Sequence, residues 1–135
     1  MIARTMSEAP ASLTYIAPVF RVADISRSVS FYRDHLGFAV EFVYESFYAG
    51  VTRDGCHIHL KRSPATPRDQ AAFEHEEHID AYIGVESAET LAATFASTGV
   101  SFVVPLRRMP YGTEFYVRDP DGYVLGFVES APTQK

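Results

Sequence analysis

The sequence predicts an α+β fold of two βαβββ modules that build a curved mixed sheet around a cavity. Two observations carry this. The same order of elements occurs twice along 135 residues, and its landmarks recur at similar offsets. Val22 matches Val85 at an offset of 63, Gly37 matches Gly99 at 62, and Gly55 matches Gly122 at 67. Few residues are identical between the halves, so the repeat is one of pattern. A βαβββ unit carries one helix on one face of a small sheet and cannot cover the other face itself. Two units, in one chain or across a dimer, leave a sheet surface that can enclose a ligand.

In the first module, residues 14–62, "YIAPVFRV" reads as a strand and Asp24 as the N-cap of the helix "ISRSVSFYRDHL". Ile25, Val29, Tyr32 and Leu36 fall on one helical face, and Gly37 stops the helix. Three strands follow: "FAVEFVYE", "SFYAGVTR" and "CHIHLKR", the last two joined across Asp54-Gly55. Residues 63–77, rich in Pro and charge, read as a linker. The second module, residues 78–130, repeats the plan. "HIDAYIGV" is a strand, Ser87 caps the helix "AETLAATFAST" with Leu91 and Phe95 buried, and Gly99 ends it. "VSFVVPL", "GTEFYVR" and "YVLGFVE" are the closing strands, with "RRMPYG" as a loop. Residues 1–13 read as a flexible arm and 131–135 as a tail.

Composition excludes several classes. Hydrophobic residues at 47% and charged residues at 21% fit a soluble domain, and no apolar run nears the ~20 residues a membrane helix needs. The start lacks a signal-peptide core, no Asn is present to be glycosylated, and the single Cys56 precludes an internal disulfide. A cytoplasmic protein is expected. The net charge of −5 argues against nucleic acid as a partner, and the basic pairs at 61–62 and 107–108 read as solvated loop charges. "EHEEH" at 74–78 lacks the four-residue His spacing of a helical zinc motif. Cys56 has no evident activating neighbour.

"RVADISRSVSFYRDHLGF" followed by "GTEFYVRDPDGYVLGFVE" resembles the glyoxalase/bleomycin-resistance/extradiol-dioxygenase group, the vicinal oxygen chelate superfamily. The likeness runs from about Tyr15 to Glu129. It implies paired βαβββ modules with an open cavity, and in the metal enzymes His and Glu ligands on the first and last strand of each module. Those positions correspond here to Ala17, His59, Asp80 and Gly126, two of which have no ligating atom. The resemblance therefore points to the bleomycin-resistance branch, which binds its ligand without metal or chemistry, and to a homodimer. No cofactor is expected. The alternative is a metal-dependent lyase, isomerase or dioxygenase with a site rebuilt from His57, His59 and Asp80.

Strand alternation selects the remaining cavity residues. Arg21 shares a face with Ala17, and Tyr82 with Asp80. A type I turn at "DPDG" pairs Asp119 with Tyr123, which sets Tyr116 opposite Gly126 and adds Glu114 to that face. The same register in the first module sets Ala49 opposite His59, with Phe47 and His57 alongside. A wall of Phe47, Tyr82 and Tyr116 with Arg21, His57, His59, Asp80 and Glu114 suits an aromatic or cationic small molecule. The competing reading is that these aromatics simply fill the core.

Overall fold

The computed structural model describes residues 11–64 and 77–132. Most of the expected arm, most of the linker with part of "EHEEH", and residues 133–135 lie outside the described residues. The elements run β1 (Val19–Val22), α1 (Ile25–Asp34), β2 (Ala39–Tyr44), β3 (Tyr48–Arg53), β4 (Cys56–Arg62), β5 (Ala81–Gly84), α2 (Ala88–Ser97), β6 (Phe102–Met109), β7 (Gly112–Arg118) and β8 (Val124–Ser130). They form two four-stranded mixed sheets, ordered β1-β4-β3-β2 and β5-β8-β7-β6. In each, the first strand runs parallel to the last, and the other pairings are antiparallel. The fold is thus α+β with two βαβββ modules.

Both helices start where their caps dictate. The Asp24 carboxylate accepts from Arg27 N at 3.1 Å, and Ser87 Oγ accepts from Thr90 N at 3.2 Å. α1 buries Ile25, Val29 and Tyr32, and α2 buries Ala88, Ala92 and Phe95. These faces meet the inner faces of both sheets in one core containing Phe20, Leu60, Phe115 and Phe127. One side of each sheet is thereby spent on the core, and the opposite side is left for other work.

The "RDPDGY" turn is the clasp between the modules. Tyr32 Oη donates to Asp119 at 2.7 Å, and Ser28 Oγ donates to Asp121 at 3.1 Å. Ala23 N reaches Asp121 at 2.9 Å, Arg21 N reaches the Tyr123 hydroxyl at 2.8 Å, and the Tyr123 ring stacks on Phe20 at 4.2 Å.

Several expected boundaries move. β1 begins only after Pro18, which has no N–H to donate, although its carbonyl still accepts from His59 N at 2.9 Å. β6 runs on to Met109, so Arg107 and Arg108 are strand residues, as are Lys61 and Arg62 in β4. None of the four is a loop charge. β6 is an edge strand whose register shifts twice, between Phe102 and Val104 and between Val104 and Arg107. Such an irregular edge accommodates Pro105 without a lost ladder bond.

Candidate functional site

The open face of the first sheet is set by the β3–β4 hairpin. Asp54 and Gly55 both have positive φ, 52° and 79°, so a two-residue turn joins Arg53 directly to Cys56. Gly50, not Ala49, therefore stands opposite His59. The expected register is off by one residue in this module. In the second module it holds: Asp119 N donates to Tyr123 O, Gly122 alone takes positive φ (93°), and Tyr116 pairs with Gly126. The difference is Pro120, which stands where Arg53 does in the first module: it has no N–H to close a two-residue turn against Tyr123, and its fixed φ suits the second position of the type I turn seen instead.

The corrected register puts Tyr48, Gly50 and Thr52 on the face of His57, His59 and Lys61. Phe47 instead precedes β3, half exposed at the rim, with the Lys61 ammonium 5.9 Å from its ring centre. Around His59 the rings close in. Tyr48 Oη lies 2.9 Å from His59 Nδ1, and the Phe42 ring meets the imidazole edge-on at 5.5 Å. Phe42 can lie there because Gly50 has no side chain; a Cβ on Gly50 would come within 2.4 Å of the Phe42 ring. His57 Nδ1 sits 3.2 Å from Glu41, and Tyr15 stacks on its ring at 3.9 Å. His59 Nε2 is the buried side-chain polar atom left without a hydrogen bond among the described residues. Such an atom costs free energy until a partner arrives.

The second sheet's open face is different. Glu114 is buried (1% exposed) and accepts from Arg107 Nε at 2.7 Å and from Tyr116 Oη at 3.3 Å. Glu77 holds the other side of Arg107 at 3.0 Å. Hydrogen bonds to Glu77 and then Glu114 raise the Arg107 pKa against the opposing cost of desolvation. Burial, then the Glu114 charge, raises the Tyr116 hydroxyl. Asp80 Oδ2 accepts from Val124 N at 2.9 Å, so this carboxylate anchors the start of β8. Tyr82, paired with Gly126, is 63% exposed.

The eight expected site residues therefore divide between two sheets. Arg21, His57 and His59 share the first sheet's open face with Phe47 at its rim, while Asp80, Tyr82, Glu114 and Tyr116 belong to the second. Phe42, Tyr48, Tyr15, Lys61 and Arg107 were not selected from sequence. Reading Asp54-Gly55 as a two-residue hairpin turn would have found Tyr48 and would have brought Phe42 into view.

The residues do not fit the divalent ion of the metal enzymes. Ala17 and Gly126 offer no donor, Asp80 is tied to backbone, and no three His, Cys, Asp or Glu side chains converge among the described residues. His57, His59 and Asp80 are thus not brought together within the chain. At Gly126 the room for a ligand is already filled: a Cβ would approach Ile79 Cδ1 to 2.8 Å and Tyr116 to 3.2 Å. A groove of about 490 Å³ lies elsewhere, between the β3–β4 turn and the start of α2, lined by Arg53, Cys56, Ile83, Ser87, Leu91 and Phe127. Two N–H groups at that helix start are already engaged, Ala88 N by Glu129 and Thr90 N by Ser87.

Solved structures share this architecture. A bleomycin-binding protein from bleomycin-producing Streptomyces verticillus, complexed with copper(II)-bleomycin, is 27% identical over 90% of this chain and 100% of its own, with a TM-score of 0.68. An antibiotic binding protein from Streptomyces sp. CB03234 is 18% identical over 91% and 98%, with a TM-score of 0.68. A glyoxalase/bleomycin resistance protein/dioxygenase from Alicyclobacillus acidocaldarius is 16% identical over 87% and 92%, with a TM-score of 0.74. No curated protein matches the chain. Residues 12–127 match the family described as Glyoxalase/Bleomycin resistance protein/Dioxygenase superfamily, and the chain belongs to that superfamily.

Proposed function

We propose that this protein binds and sequesters an aromatic small molecule, without a metal and without making or breaking bonds, as a cytoplasmic homodimer. One observation carries the reading: of the four positions that hold metal in the enzymes of the superfamily, His59 alone keeps a side-chain polar atom without a partner, Nε2, and that atom is buried among aromatic rings rather than acids. A preformed aromatic wall with few polar anchors is what a tight small-molecule site needs. The 27% identity to a bleomycin-binding protein supports the binding role. Apolar side chains left half exposed on the first sheet, Val19, Phe42 and Tyr44, support a second copy as their cover.

Thermal-shift screening of an antibiotic and aromatic-compound panel, with and without chelator, tests this. At ligand concentrations of about 100 Kd, stabilisation of about 2.7 kcal/mol is expected, unchanged by chelator and with the compound recovered intact by mass spectrometry. Loss of binding on chelation, or conversion of the compound, would sink the proposal in favour of a metalloenzyme.

A further inference from the structure

The charges without an ion-pair partner on the first sheet's open face are positive. Arg21 and Lys61 are register partners on adjacent strands β1 and β4, and both are exposed. Neither forms an ion pair with a described residue, and Glu45 in the adjoining turn pairs with neither. The acid on this face, Glu41, is at its other end and bonded to His57. The acids of the second sheet are committed: Glu114 to Arg107 and Tyr116, Asp80 to the Val124 amide. A cationic ligand would find no waiting carboxylate on these residues.

His59 is two residues from Lys61 on the same face, about 7 Å along the strand. Its Nδ1 is engaged by Tyr48, and its buried Nε2 awaits a partner. A Tyr48 hydroxyl that donates to Nδ1 puts the ring proton on Nε2, a buried N–H still without an acceptor. Two cations without a carboxylate partner, Lys61 lying over the Phe47 ring, and one buried N–H beside the Phe42 and Tyr48 rings form a complementary set. We infer that the site takes a planar aromatic ligand bearing an anionic group, with Arg21 and Lys61 facing the anion and His59 Nε2–H donating to an acceptor oxygen. This deepens the proposed binding function and rests on it.

Three probes of matched shape separate the possibilities: 2-naphthoate, 2-naphthamide and naphthalene-2-methylammonium, titrated calorimetrically at pH 7. Naphthoate is expected to bind at least tenfold more tightly than the amide, and the ammonium compound more weakly still. Raising salt from about 0.05 to 0.5 M should weaken naphthoate alone, because the attraction acts at an exposed site. The Arg21→Gln/Lys61→Gln variant should bring naphthoate and amide within about threefold of each other. Tyr48→Phe should weaken naphthoate and amide alike, since it frees the His59 tautomer. The glutamine changes lie on exposed side chains, and an unchanged melting midpoint certifies the fold. Equal binding of all three probes, or preference for the ammonium compound, overturns this inference while leaving aromatic binding intact. Binding by none of them at millimolar concentration overturns both.

Discussion

At the scale of single residues, Asp119 shows how a buried acid can be both necessary and costly. Its carboxylate accepts from Tyr32 Oη and from the amides of Asp121 and Tyr123, yet burial outweighs these bonds and pushes its pKa up to about 6. The native state therefore holds this proton more tightly than the unfolded chain, where an Asp titrates near ~3.9. Its contribution to stability is fullest below pH ~4 and is lost as pH rises through about 6, a change of about 3 kcal/mol. Asn at this position keeps an acceptor oxygen for the two amides and cannot ionise. The stability difference between Asp119→Asn and the natural protein, followed by urea denaturation, should shift toward the variant between pH 4 and 6. A difference flat across that range would mean Asp119 titrates normally.

At the scale of elements, the two Asp-Gly turns show how a single residue sets a register. Both were legible as hairpins, but the face their strands present depends on backbone angles that the Asp-Gly pair leaves open. Pro120 restricts one of them, and the second-module register follows from sequence. Without proline, Asp54 and Gly55 adopt a turn with φ positive at both, and every open-face residue of β3 moves by one. Phe47 leaves the face and Tyr48 enters it. Gly55→Ala meets no neighbouring atom within 4 Å, so its cost is the left-handed backbone alone. A loss of about 1–2 kcal/mol in denaturant unfolding is expected. Weakened probe binding should accompany it if the hairpin relaxes toward the longer turn.

At the scale of the whole molecule, one core serves both modules, and the asymmetry lies on the outside. The second sheet covers part of its open face with Ile79, Val103, Val104, Tyr116 and Val124, whereas all six residues of β2 are exposed. An apolar edge strand of this kind is a liability in a monomer. Light scattering should give about 30 kDa, twice the 15.0 kDa of one chain. Phe42→Arg should halve that mass without unfolding the protein. A 15.0 kDa species for the unaltered protein at micromolar concentration would count against the dimer.

The sequence sets the element order, the helix caps, most of the buried helical faces and the internal repeat, because each rests on local periodicity and capping chemistry, although Leu91 proves only partly buried. It also determined that Ala17 and Gly126 cannot hold a metal, since that follows from side-chain identity. Which charges are available depends on how the strands come together. Asp80 and Glu114 are acidic residues in any reading of the chain, but their partners, the Val124 amide and Arg107, come from neighbouring strands. Tyr48 and Phe42 likewise reach His59 only through pairing across β2, β3 and β4. A carboxylate's or imidazole's chemistry depends on what is within about 3 Å of it, and strand pairing across the sheet sets that.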